Sequence, residues 1–277
     1  MKNWLWVLAA VVCCSIYGFA DGTDSPYNPS PKEIRKADRL LADYADEVWY
    51  AREWLMVNND VTRIVEILNA MQEPDAEQVE QSFQSAMKVT FPNSRRMPDL
   101  EPAVARKMER FLEYYHLQGK IHLRVFTLNF PMAFNSGQVV GVSDTLLMNW
   151  SDEELMGVVA HEIGHIIAQV QDRLSEQTAP EGRAYERAEE IKADWVAMMM
   201  FRGAGMEPET VVMGLERIVP RTEWKRAGPQ HPPMAIRSAM MREWLMLPPQ
   251  RPRLHDALLQ SSRPALDFAG QKSSIEK

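Results

Sequence analysis

The distribution of cysteine is the feature that most constrains this chain. The sequence has 277 residues and two cysteines, Cys13 and Cys14, which both lie in the apolar segment Trp4–Ala20. That segment follows a positive charge at Lys2 and ends at small residues, which is the pattern of a secretory signal peptide. Cleavage after Ala20 leaves 257 residues without cysteine. We therefore expect a fold that has neither a disulfide bond nor a cysteine-ligated metal.

The same segment predicts where the protein acts. A cleaved signal peptide favours export to a compartment such as the bacterial periplasm. The alternative is an uncleaved N-terminal membrane anchor, although 17 apolar residues are at the short limit for a bilayer span. No later apolar run approaches 18 residues, so we expect no stable membrane span after cleavage. Without Lys2 the chain has 30 basic and 38 acidic residues, a balance that argues against nucleic acid as a partner.

Hydrophobic periodicity predicts a mainly α fold with a small β-sheet, an α+β class. We expect a linker at 21–31, one domain at 32–247 and a weakly ordered tail at 248–277. Within that domain, N-terminal helices occupy 32–100 and a catalytic core occupies 101–247. The predicted helices are 32–56, 61–72, 75–88, 103–115, 151–173, 183–201, 207–218 and 233–246. Alternating apolar residues predict strands at 121–125 and 139–142.

One predicted helix carries a candidate metal site. Ser151 and Glu154 form a capping box, so a helix runs through the sequence His161–Glu162–Ile163–Gly164–His165. Histidines four residues apart lie on one helix face and can reach the same metal ion. Glu162 is near enough to take a proton from a water beside that ion, which is the H-E-x-x-H pattern of zinc peptidases. The alternative interpretation is a pair of surface histidines.

A catalytic zinc site uses three protein ligands, so a third ligand must come from elsewhere. The helix at 183–201 offers Glu186, Glu190 and Asp194, which share one face. Spacing alone does not choose among them, and such charge runs are commonly solvated helix faces. The apolar residues around Asp194 favour burial, and a buried carboxylate needs a metal or a hydrogen-bond partner.

Five segments together resemble a known family, the gluzincin metallopeptidases related to HtpX and the CAAX prenyl proteases, especially their soluble periplasmic members. The resemblance covers about residues 100–247. One segment resembles the active-site edge strand of the family, although Met132 stands where the family usually has asparagine. The segments are Phe130–Leu147, Glu154–His165, Glu190–Asp194, Ala204–Pro208 and His231–Arg237.

The resemblance implies a zincin-like domain with one Zn²⁺ per chain and assigns further roles. Glu190 is implied as the third metal ligand. Asp194 is implied to orient a histidine ligand through its other ring nitrogen. His231 is implied to lie near the zinc and to stabilise the tetrahedral intermediate, together with Arg237. For His231 the alternative is a turn residue that is fixed by the two prolines after it.

The sequence therefore leads to the hypothesis of a zinc-dependent endopeptidase that acts on unfolded or misassembled envelope proteins. Glu162 acts as the general base, and the substrate lies extended along a predicted edge strand formed by Gln138, Val139, Val140, Gly141 and Val142. One alternative is a zinc-bound chaperone or assembly factor that holds clients without routine cleavage. Another is a latent enzyme whose tail after Leu247, including His255, covers the site.

We also expect Gly164 to have a structural reason for its place in the zinc helix. Glycine costs about 1 kcal/mol relative to alanine inside a helix. The hypothesis is that Gly164 allows another element to approach closely beside the metal.

Overall fold

The computed structural model describes residues 35, 39–174, 182–219 and 231–246. The predicted signal peptide, the linker at 21–31, the tail at 248–277 and His255 lie outside the described residues. Among the helices that the structure does describe, none is long and apolar enough to cross a membrane.

Nine α-helices and a short 3-10 turn make up most of the described chain, which confirms the mainly α prediction. Asp60 and Asp75 cap two of the helices by accepting a backbone N–H bond, as residues at these positions commonly do. The turn is Pro98–Leu100, between the predicted helices at 75–88 and 103–115. The helices are α1 (Ala45–Asn58), α2 (Val61–Ala70), α3 (Ala76–Thr90), α4 (Glu101–Tyr114), α5 (Asp144–Asn149), α6 (Asp152–Leu174), α7 (Arg183–Gly203), α8 (Glu209–Ile218) and α9 (Met234–Met246).

A three-stranded mixed sheet is the β part of the fold. The strands are β1 (His122–Phe126), β2 (Ala133–Ser136) and β3 (Val139–Ser143), in the spatial order β1-β3-β2. β3 pairs in parallel with β1 and antiparallel with β2. The alternation pattern predicted β1 and β3 but missed β2, which has only four residues.

The prediction that residues 138–142 form the substrate-binding edge strand is wrong. Val139, Val140, Gly141 and Val142 belong to β3, which is the central strand, and Gln138 immediately precedes it. The backbone groups of β3 are paired with strands on both sides, and all five of its residues are buried. An added strand needs a free edge. Among the described strands, β2 lies at the edge of the sheet on the side of the β2–β3 hairpin, so its outer backbone groups form the free edge there.

The two faces of the sheet pack against different parts of the protein. One face carries Val140 and Val142 and joins the main hydrophobic core, which includes buried residues from Leu41 to Trp244. The other face carries Val139 and packs in a separate cluster with α3, through side chains such as Phe83. α6 and α7 lie against each other in the main core, and this pair of helices positions the candidate site.

Candidate metal centre

The helix that carries the histidines begins as the capping box predicts. The backbone N–H of Glu154 donates to Ser151 Oγ at 3.2 Å, and the N–H of Ser151 donates to Glu154 Oε2 at 3.1 Å. These two bonds satisfy donors that the first turn of a helix leaves free. They fix where α6 starts and therefore which face presents His161 and His165.

Both histidines turn the same ring nitrogen toward one point. His161 Nε2 and His165 Nε2 lie 3.2 Å apart, and the ring planes are inclined at 76°. His161 is buried and His165 is partly buried. The pair is therefore not an exposed surface feature, which was the alternative left open by the sequence.

Glu190 on α7 completes a set of three donors. Glu190 Oε2 lies 3.5 Å from His161 Nε2, and Glu190 Oε1 lies 3.4 Å from His165 Nε2. Within the described residues, His161, His165 and Glu190 are the group of possible ligands that lie this close together. Glu186, the other glutamate on that face, is exposed and does not join the group.

The separation of these donor atoms fits a zinc ion. Zinc binds nitrogen and oxygen ligands at about 2.0–2.1 Å with tetrahedral geometry, which places neighbouring ligand atoms about 3.3–3.4 Å apart. The three separations, 3.2, 3.4 and 3.5 Å, lie close to that value. Two imidazoles and a carboxylate are also a donor set that catalytic zinc uses while a fourth position stays free for water.

A close approach of two helices brings the donors together. A Cβ atom on Gly164 would lie 2.5 Å from the carbonyl oxygen of Ala193 and 3.0 Å from its Cα. α6 and α7 therefore touch backbone to backbone, one residue from His165 and one residue from Asp194. This contact confirms that Gly164 allows another element to approach beside the candidate site.

Asp194 holds the far side of His161. Its Oδ1 lies 2.9 Å from His161 Nδ1, which leaves Nε2 directed at the donor group. Arg237 Nε donates to Asp194 Oδ2 at 2.9 Å, and Arg237 Nη2 donates to Oδ1 at 2.6 Å. Asp194 is fully buried and Arg237 nearly so. A bidentate arginine supplies the partner that a buried carboxylate needs, and a carboxylate behind a histidine fixes the orientation of its ring.

Arg237 also contacts the third ligand. Its Nη1 lies 3.0 Å from Glu190 Oε2, so one guanidinium bridges Glu190 and Asp194. Burial would raise the pKa of Glu190, but Arg237 and His165 outweigh that effect and hold the pKa well below its usual value. Burial likewise opposes ionisation of Asp194, and Arg237 again lowers the pKa. Both carboxylates are therefore charged near neutral pH.

The same charges act on His161. Burial by itself lowers the pKa of this imidazole, but the contacts with Asp194 and Glu190 outweigh it and raise the pKa to about 9. A histidine must be neutral to ligate a metal. The negative charges around His161 favour a positive charge at the ring, either as a proton or as a bound metal ion. A bound metal ion satisfies the same negative field that otherwise draws a proton to the ring.

Glu162 lies beside the donor group and is not one of its members. Its side chain is buried, and Glu162 Oε2 accepts a 2.9 Å hydrogen bond from Nδ2 of Asn135 on β2. The sequence prediction named Glu162 but did not name Asn135. No local sequence pattern predicts the contact between Asn135 and Glu162, because these residues are 27 positions apart and meet only through the packing of a strand on a helix.

His231 approaches the site from the start of the C-terminal segment. Its Nδ1 lies 3.0 Å from Glu190 Oε2, while 58% of its side chain is exposed. Pro232 and Pro233 follow it and lead into α9, which carries Arg237. The structure therefore brings both residues of this segment to Glu190, one at the surface and one in the interior.

The family comparison points to the same chemistry. The sequence model of peptidase family M48 matches residues 98–171, a range that includes the sheet, His161, Glu162 and His165. Glu190, Asp194, His231 and Arg237 lie beyond the matched range. No curated protein and no solved structure is significantly similar to the chain. The matched segment is therefore similar to peptidase family M48, a family of zinc-dependent metallopeptidases, and the donor group includes the two histidines of that segment.

Proposed function

We propose that this protein is a zinc-dependent endopeptidase that cleaves unfolded or misassembled proteins of the cell envelope. The observation that carries the proposal is the convergence of His161, His165 and Glu190 with a separate carboxylate, Glu162, beside them. Three residues hold the ion, and the fourth is free to transfer protons.

Each residue of the candidate site has a separate role in peptide hydrolysis. Zinc, when it is bound by His161, His165 and Glu190, polarises the scissile carbonyl and makes water a better nucleophile. Glu162 accepts a proton from the attacking water and returns it to the leaving amine. His231 is exposed and lies close enough to Glu190 to meet a substrate, so it stabilises the negative charge that develops on the substrate carbonyl.

The free edge of β2 supports an extended substrate. The N–H of Ser143 donates to the carbonyl of Met132 at 2.9 Å, so Met132 faces β3. Residues alternate along an antiparallel pair, which turns the backbone groups of Ala133 and Asn135 toward the free edge. An added peptide strand would bond to these groups beside Glu162.

Pairing through backbone groups depends little on the side chains of the substrate, and this property favours substrates that lack stable structure. An unfolded chain can lie extended along β2, whereas a folded protein keeps its backbone groups paired internally. The proposed location in the periplasm rests on the N-terminal segment of the sequence.

Proteolysis of casein by the zinc-loaded protein tests the proposal. We expect cleavage by the wild type and none by Glu162→Gln, which keeps the shape of the side chain but cannot accept the proton. Zinc content, measured by atomic emission, should stay near one ion per chain in both proteins. The matched control is Glu153→Gln, an exposed glutamate on the same helix, which should cleave as the wild type does.

Other outcomes would support the alternatives. Casein cleavage only after removal of residues 248–277 would indicate a latent enzyme blocked by its tail. Zinc binding without cleavage by either form would indicate a chaperone or assembly factor. Undiminished cleavage by Glu162→Gln would overturn the mechanism.

A further inference from the structure

The side chain of Asn135 gives Glu162 a fixed partner within the protein. Asn135 Nδ2 donates to Glu162 Oε2 at 2.9 Å, and Glu162 has little exposure to solvent that could compete for that oxygen. We infer that Asn135 is a positioning residue that holds the Glu162 carboxylate in the orientation needed for proton transfer. The inference rests on the proposed peptidase function.

The register of the sheet places Asn135 there. Along β2, Ala133 and Asn135 point to the face that packs on α6, and Phe134 points to the opposite face, among Phe83, Phe91 and Phe126. Slippage of a strand by one residue exchanges its two faces, so the packing of Phe134 decides where Asn135 points.

A glycine in the neighbouring strand makes room for Phe134. Gly141 lies opposite Phe134 in the pairing of β2 with β3. A Cβ atom on Gly141 would lie 2.3 Å from Phe134 Cε1, so only glycine lets the ring lie across the central strand. The aromatic contact and the missing side chain together fix the register and, through it, the position of Asn135.

The hydrogen bond has a specific chemical consequence for Glu162. A glutamate side chain has several rotatable bonds, and proton transfer requires its carboxylate oxygen within hydrogen-bond reach of the attacking water. The Asn135 amide uses one of the two acceptor positions of Oε2 and holds the carboxylate in place, so we assign the proton taken from water to the other oxygen, Oε1. It then passes from Oε1 to the leaving amine nitrogen, and the carboxylate is restored with its bond to Asn135 intact. The contact therefore acts on kcat rather than on binding of the substrate.

Steady-state kinetics on a fluorogenic peptide test this role in the zinc-loaded full chain. Loss of a hydrogen bond to a charged group lowers kcat by about 10- to 100-fold, so we expect that loss for Asn135→Ala with KM and zinc content nearly unchanged. Asn135→Asp should lose at least as much, because it has the same shape but no donor and repels Glu162. The control is Asn149→Ala, which also removes an amide that donates one bond, at 2.8 Å to the carbonyl of Thr145, away from the site.

A second background separates positioning from a general structural effect. Glu162→Asp shortens the carboxylate beyond the reach of Asn135, so adding Asn135→Ala to it should lower kcat much less than in the wild type. An equal loss in both backgrounds, or a loss confined to KM, would overturn the inference.

The hydrogen bond can also be observed without proteolysis. In a ¹H–¹⁵N spectrum, the Asn135 side-chain amide is identified by its disappearance in Asn135→Ala. We expect this signal to shift in Glu162→Ala while the Asn149 signal stays in place, in zinc-free and zinc-loaded protein alike. An unchanged Asn135 signal would overturn the inference, whereas a shifted signal in a protein that cleaves no peptide would place the failure in the proposed function.

Discussion

Two ion networks lie on different faces of α7, one buried and one partly buried, and share the same formal charge. In the first, Glu190 and Asp194 contact Arg237. In the second, Lys192 Nζ lies 2.9 Å from Asp172 Oδ2 and 2.7 Å from Glu189 Oε1. Each network has two carboxylates and one cation.

The networks differ in the direction in which the pKa of a glutamate is shifted. Burial raises the pKa of Glu189 despite the nearby Lys192. The pKa of Glu190 is instead held well below its usual value, and the carboxylate stays ionised with its oxygens facing His161 and His165. A count of buried charges does not distinguish a metal site. Convergence of possible ligand atoms on one point does.

Aromatic side chains also contact the second network. The Tyr185 hydroxyl donates to Asp172 Oδ2 at 2.5 Å, and Lys192 lies 4.5 Å from the centre of the Tyr185 ring. Lys192 also lies 5.7 Å from the centre of the Trp54 ring. These contacts join α7 to α6 and α1.

The largest expected difference between the networks concerns zinc. Glu190→Ala removes one of three ligands, so we expect zinc affinity to fall by more than the 10- to 100-fold that loss of an outer partner causes. Glu189→Ala, one residue earlier on the same helix, should bind zinc as the wild type does. Chelator competition measures both affinities.

Zinc should also stabilise only the protein whose ligands are intact. A ligand at about 1,000 times its dissociation constant adds about 4 kcal/mol to the free energy of unfolding. Wild type and Glu189→Ala should show this gain in urea denaturation, and Glu190→Ala should not. Full zinc retention by Glu190→Ala would move the third ligand to another residue.

A smaller difference is expected when the cation of each network is removed. Arg237→Met leaves two charged carboxylates in the interior, and breaking a buried pair in this way costs about 3–5 kcal/mol. Lys192→Met leaves Glu189, which takes up a proton more readily, so we expect a loss of about 1–3 kcal/mol. Urea denaturation of the zinc-free proteins compares the two.

Zinc gives this comparison a second test. The ion restores positive charge beside Glu190. The difference in free energy of unfolding between Arg237→Met and the wild type should therefore be smaller when both proteins hold zinc. The difference between Lys192→Met and the wild type should be the same with and without zinc. Equal losses in the zinc-free proteins, or equal recovery with zinc, would mean that the two networks do not differ in the way proposed.

The sequence predicted the part of the site that depends on local rules. Ser151 and Glu154 set the start of α6, and helical spacing then places His161 and His165 together. Choosing Glu190 over Glu186 required the family resemblance, because both share a face and only packing shows that one is buried. The alternation pattern missed β2, which only the family resemblance indicated, and nothing in the sequence named Asn135. A four-residue strand has little pattern of its own, and its register depends on the contact of Phe134 with Gly141. The Lys192 network depends likewise on side chains from three separate helices.

The smallest expected effect concerns the helix contact that brings the ligands together. Gly164→Ala places a methyl group 2.5 Å from the carbonyl oxygen of Ala193, so α7 must move away from α6. Overpacking of this kind costs about 1–3 kcal/mol, and the better helix propensity of alanine offsets about 1 kcal/mol of it. The shift separates Glu190 from His161 and His165, so we expect zinc affinity to fall as well.

Gly157→Ala is the matched control, because its methyl group would lie 3.0 Å from Cα of Val211, on α8. Because this contact is longer, Gly157→Ala should lower the free energy of unfolding by less, and it should leave zinc affinity unchanged. Equal zinc affinity in the two variants would show that the site tolerates the displacement and that the close approach at Gly164 serves packing alone.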